Sequence, residues 1–151
     1  MRIARSGRFV FVAQWVAAAL LPVVFFFGES WLMAEDPSFR SDYAVYSIPV
    51  LLIPPVLTLL DGEGRRERST RVGYDAASVV LWCAIVLGGL TFPLADNGVR
   101  DSAIMNTFGI SYDAGPSPAF LFAVGLIGVA YLAQLVLAVM GIVRGRNPVH
   151  A

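Results

Sequence analysis

Lysine is absent from these 151 residues, and cysteine and histidine occur once each, as Cys83 and His150. Each shortage excludes a class of chemistry. One cysteine forms no intramolecular disulfide and sustains no quinone-linked dithiol exchange; inside an apolar run it reads as a small buried hydrophobe. One histidine next to the C-terminus provides no paired axial ligation of a haem and no serine–histidine arrangement for intramembrane proteolysis. Charge is also scarce over long distances: residues 9–28, 43–60, 76–95 and 114–143 contain no charged side chain, and each run is bounded by one.

An ionised side chain at mid-bilayer costs about 2.5–3.5 kcal/mol even on the lenient insertion scale, and about 20 apolar residues at 1.5 Å each span the ~30 Å hydrocarbon layer. The four runs therefore predict an all-α membrane protein, a four-helix transmembrane bundle forming a single domain over residues 1–151. Its spans are expected at about 9–27, 43–60, 76–95 and 119–143. A hydrophobic content of 57% and a mean hydropathy of +0.69 are too high for a water-soluble domain. The connections are too short to bury a core of their own, since soluble domains below about 40 residues rarely fold unaided. The basic start resembles a signal peptide only superficially, because the apolar run continues well past the roughly 7–15 residues of a signal core. The first helix is expected to stay.

All eleven basic residues are arginines, and their placement is lopsided. Arg2, Arg5, Arg8, Arg65, Arg66, Arg68, Arg71, Arg144 and Arg146 fall on one side of the expected spans, facing four carboxylates, whereas Arg40 and Arg100 fall on the other, facing seven. The positive-inside rule then predicts an N-in/C-in topology, with both termini and the loop 61–75 cytoplasmic. Arginine without lysine, in a chain rich in Ala, Gly and Val, fits a GC-rich bacterial genome, so the expected location is a bacterial plasma membrane. The loop reads as a solvated segment resting on anionic headgroups, which makes membrane lipid an expected partner. Nothing in the pattern points to nucleic acid.

Membrane-embedded chemistry usually depends on an ionisable residue within the hydrocarbon span, and none occurs here. Gln14 stands where antiporters of the small multidrug-resistance type carry a carboxylate in their first helix. Residues 61–66 share the Asp-Gly opening of the CDP-alcohol phosphotransferase motif but lack its Ala, and Ala77 and Leu81 occupy positions where that motif needs further aspartates. The outer carboxylates Asp96, Asp101 and Asp113 are dispersed, without the clustering a divalent cation requires. No catalytic, cofactor-binding or metal-ligating residue is assigned, and an enzyme is not expected.

Packing is the more legible feature. Pro49, Pro54 and Pro55 remove N–H donors from the second run and predict a kinked helix whose bent side faces protein. Small residues at helical spacing let backbones approach, which drives association where lipid is as apolar as leucine. The packing candidates are Gln14, Ala17 and Gly28 on the first helix, Ala84 and Gly88 on the third, and Ala123, Ala130, Gln134 and Gly141 on the fourth. Gln14 and Gln134 are expected to lie within reach of each other. These stripes favour a non-catalytic accessory or scaffold subunit of a membrane assembly, with another membrane protein or a second copy as partner. A small transporter or channel component would instead require Gln14, Gln134, Tyr46 and Tyr131 around one water-filled cavity, and a membrane enzyme would require its site on the outer face.

Overall fold

Four long helices and one short one dominate the computed structural model, which describes residues 7–33, 41–92, 94–96, 99–101 and 116–146, with side chains described for 7–27, 45–92 and 116–144. In chain order they are α1 (Gly7–Met33), α2 (Ser41–Thr58), α3 (Gly62–Glu67), α4 (Val72–Leu90), a hairpin of β1 (Leu94–Asp96) and β2 (Val99–Asp101), and α5 (Pro118–Arg146). Among the described residues the regular structure is thus α-helical apart from that hairpin, in which Leu94 pairs with Asp101 and Asp96 with Val99. Three helices, α1, α4 and α5, are long and apolar enough to cross a membrane, while the apolar part of α2, Val45–Thr58, is shorter. The chain α1–α2–α5–α4 closes into a ring, each long helix packing on its two neighbours.

The distribution of polarity within this ring is the reverse of a water-soluble protein's. Gln14, Thr58, Ser78 and Gln134 are buried, whereas Phe9, Val12, Val16 and Leu20 of α1 and Phe122, Val129, Leu132 and Val136 of α5 are exposed. An apolar exterior of this extent is a liability in water and the natural boundary with lipid, so it supports a membrane location together with the three long helices.

Helix limits depart from the expected spans where charge finds a partner inside the protein. α4 starts at Val72 rather than residue 76 because Arg71, its N-cap, and Asp75, in its first turn, are both buried and bonded. At its other end α4 stops at Leu90 rather than residue 95: the Thr91 N–H returns to the Leu87 carbonyl, and Pro93 then follows. α1 extends to Met33, past residue 27. The turn anticipated at residues 103–108 lies outside the described residues.

Two of the three prolines of α2 point inward, while Pro49 is exposed. Pro54 and Pro55 are buried, and the missing Pro54 N–H deprives the Val50 carbonyl of its usual donor one turn on. Tyr131 of α5 supplies a replacement, its hydroxyl donating to Val50 O at 2.7 Å. Tyr131→Phe is expected to destabilise the fold by about 0.6–1.7 kcal/mol, the range of intramembrane hydrogen bonds. In a Pro54→Ala background, which returns the N–H, the same change should cost less than half as much. Thermal unfolding of the four proteins of this double-mutant cycle measures the difference; equal costs in both backgrounds would show that Tyr131 is not substituting for the lost donor.

Where α1 crosses α4, the backbones come unusually close. A Cβ on Gly89 would lie 2.9 Å from Phe25 Cα and 3.1 Å from Val24 O, and one on Gly88 would lie 2.6 Å from Phe25 Cε2. Beyond this crossing, Phe25, Phe26, Phe92 and Phe120 stack edge to face with centroids 5.0–6.4 Å apart, closing this end of the ring with apolar rings.

Candidate functional site

The polar side chains collect at the opposite end, where the start of α1, the α2–α4 connection and the end of α5 meet. They form two layers. In the layer deeper in the ring, Gln134 of α5 donates to Ser78 Oγ at 2.6 Å, and Ser78 donates to its own helix at Tyr74 O, 2.8 Å away. Tyr74 donates to Gln14 Oε1 at 2.9 Å, and Gln14 Nε2 reaches Thr58 Oγ1 at 3.2 Å and Phe11 O at 3.1 Å. Thr58 donates to Pro55 O at 2.7 Å. The chain of bonds therefore runs α5–α4–α1–α2 and touches all four long helices. Each hydroxyl on it donates to a carbonyl or amide oxygen, so these buried hydroxyls are satisfied within the protein.

Asp61 organises the outer layer. It caps α3, accepting from the N–H groups of Glu63 at 3.2 Å and Gly64 at 3.4 Å. Its other oxygen receives Arg71 Nε at 2.9 Å, while Arg71 Nη2 also holds Glu63 Oε2 at 2.9 Å. The Asp61 hydrogen bond holds the Arg71 guanidinium above its ordinary pKa range, and the attraction of Asp61 and Glu63 adds to it while burial opposes it; the group stays charged at any accessible pH. Gly141 of α5 admits this pair closely, since a Cβ there would lie 2.8 Å from Asp61 Oδ2. Thr70 bonds Asp75 and ties the connection to α1, its N–H and hydroxyl reaching Gly7 O at 3.3 and 3.1 Å. α3 ends at Arg68 in the left-handed region, φ 49°, with the Ser69 N–H closing onto Gly64 O at 3.0 Å.

The loop expected to be solvated is thus in part a plug. Asp61, Ser69, Thr70, Arg71 and Asp75 are buried, and only part of the segment, with Glu63, Arg65, Arg66, Glu67 and Arg68, faces outward. The physical reason is pairing: a buried carboxylate is tolerated when a guanidinium and backbone N–H groups satisfy it.

The packing candidates fall in different places. Gln14, Ala84, Gly88, Ala123, Ala130, Gln134 and Gly141 are buried, with Ala123 fully enclosed. Ala17 is only half-buried; Ala18, one position on, occupies the inner face of α1 between Gln14 and Pro22. The surroundings of Gly28 lie outside the described residues. Gln14 and Gln134 do not bond each other as expected but are joined through Tyr74 and Ser78. Tyr74, Ser78, Thr58, Asp61 and Arg71 carry the cluster and were not singled out from sequence. Their signal was available: Ser78 follows Tyr74 by one helical turn, and an Asp ahead of Gly-Glu-Gly has the form of a helix N-cap.

Little space remains among these polar side chains. The cavity between Gln14, Tyr74, Ile85 and Gln134 measures about 10 Å³, and the one between Thr58, Asp61, Thr70 and Gly141 about 20 Å³. Each has room for about one water. Among the described residues no group of three or more His, Cys, Asp or Glu is placed to hold a metal ion. Asp96 and Asp101 lie on the hairpin, whose side chains, with Asp113, are outside the described residues. Chemically, the arrangement clamps helices: Asp61, the carboxylate that lines a cavity, is committed to Arg71, and the Tyr74 hydroxyl to Gln14. Comparison with protein-family models, curated proteins and solved structures finds no match.

Proposed function

We propose that the chain is a four-span protein of a bacterial plasma membrane, with its arginine-rich end cytoplasmic, acting as a non-catalytic accessory or scaffold subunit of a membrane assembly. The observation that carries this reading is the engaged polar layer. The buried polar side chains at the arginine-rich end are bonded to one another around cavities of about 10 and 20 Å³, while the larger cavity of about 280 Å³ between the four long helices is lined by apolar side chains with Ser47 and Tyr131 and presents no charged group to a solute. The transport reading called for one cavity shared by Gln14, Gln134, Tyr46 and Tyr131, yet Tyr46 is 74% exposed and Tyr131 is engaged with α2.

The outward face of α5 supports a partner. Gly125 and Gly128 are exposed, a Cβ on either would meet nothing within 4 Å, and the apolar Leu121, Val129 and Leu132 flank them. A neighbouring helix can approach such a notch closely. Affinity purification from native membranes in mild detergent tests the reading: one stoichiometric companion, another membrane protein or a second copy, is the expected result. A chain that purifies alone and monomeric would remove it.

A further inference from the structure

The carboxylates of the α2–α4 connection are spent inward. Asp61 and Glu63 hold Arg71, and Asp75 is bonded by Thr70, leaving Glu67 as the carboxylate of that segment with no such engagement. The other arginines of this end whose side chains are described, Arg8, Arg65, Arg66, Arg68 and Arg144, are exposed and make no ion pair among the described residues. Two of them stand in a built setting. An open depression of about 440 Å³ is lined by Leu59, Leu60, Gly62, Arg65 and Arg66. Its wall is apolar on the α2 side, where Leu60 is 62% exposed, and cationic on the α3 side. Gly62 lines it without filling it, and a Cβ there would meet no atom within 4 Å.

We propose that this depression seats one anionic phospholipid, its phosphate between Arg65 and Arg66 and the upper part of its acyl chains against Leu59 and Leu60. The charge is complementary, and guanidinium groups bind phosphate through paired N–H donors. The apolar wall continues into the exposed exterior of α2, where Val56 is also uncovered, so an acyl chain leaving the depression runs along lipid-facing surface. A soluble anion would gain nothing from that wall. The inference rests on the chain residing in a membrane and not on the accessory-subunit reading.

The test uses the purified full chain in mild detergent, mixed with equal amounts of phosphatidylglycerol and phosphatidylcholine, with bound lipid counted by native mass spectrometry. With each arginine near an anionic lipid contributing a factor of about five, the first site should prefer phosphatidylglycerol by about 25-fold. Arg65→Gln/Arg66→Gln should bring that preference close to parity. Gly62→Leu should reduce phosphatidylglycerol retention with every charge intact, and Arg144→Gln, which does not line the depression, should leave the first bound lipid in place. Millimolar inorganic phosphate should not displace it. The proposal is overturned if the wild type shows no headgroup preference, if the preference survives the double variant, or if Gly62→Leu has no effect. Displacement by inorganic phosphate overturns it in favour of a free-anion site. Retention of phosphatidylcholine by every variant reports separately that the chain still holds a lipid shell.

Discussion

Arg71→Met is expected to destabilise the fold by about 3–5 kcal/mol, the cost of leaving one member of a buried ion pair without its counter-charge. The Arg71 and Asp61 side chains are only 8% and 9% exposed, and removing the guanidinium leaves Asp61 with the α3 N–H groups alone. Asp61→Asn should cost less. Asn caps a helix as well as Asp does, and Arg71 retains Glu63 at 2.9 Å. The double variant should fall well short of the sum of the two, because the second change removes the charge that the first had stranded. Unfolding midpoints in one detergent decide the matter; additive losses would mean that the pair is not coupled and that the connection is held by its backbone bonds.

Gly89→Ala is the second large effect. A helical glycine changed to alanine ordinarily gains about 0.5–1 kcal/mol through backbone entropy. At Gly89 the added methyl meets Phe25 Cα and two carbonyl oxygens of α1, atoms that cannot move without the whole helix. Overpacking of this kind costs about 1–3 kcal/mol and outweighs the gain. Gly125→Ala, on the same kind of helix with open space around it, isolates the entropic term and should be neutral or slightly stabilising. If both variants shifted the midpoint alike, the close crossing of α1 and α4 would not exist in the folded protein.

These two sites also mark what the sequence made legible. Charge-free runs located the long helices, since a membrane span is a one-dimensional property of composition. Gly88 was recognisable from helical spacing; the inward bend expected of the α2 prolines holds at Pro54 and Pro55 but not at Pro49, which is exposed. The phase of the α1 stripe was not recognisable. A strict alternation of three and four placed Ala17 inward, whereas the buried series Gly7, Val10, Gln14, Ala18 and Pro22 advances by three and then by fours, so the face drifts by one residue. The outer polar layer was illegible for a different reason. Asp61 and Arg71 are ten residues apart, and a charged, glycine-rich segment carries the same composition whether its charges are solvated or paired with each other. Only the fold back of α3 onto α5, permitted by Gly141, distinguishes the two.

That fold also changes which substitutions probe a partner. Ala123 and Ala130 are buried within the ring, so enlarging them tests the protein's own packing. The outward notch at Gly125 and Gly128 is the surface left for another helix. The most direct measurement is therefore the stoichiometry of the co-purified companion, from native membranes at matched expression, for the wild type and for Gly125→Leu/Gly128→Leu, with thermal unfolding of both. Loss of the companion with an unchanged unfolding midpoint is the expected result. A wild type that purifies alone, or a double variant that keeps its companion in full, would contradict the assignment of this chain as an accessory subunit docking through α5.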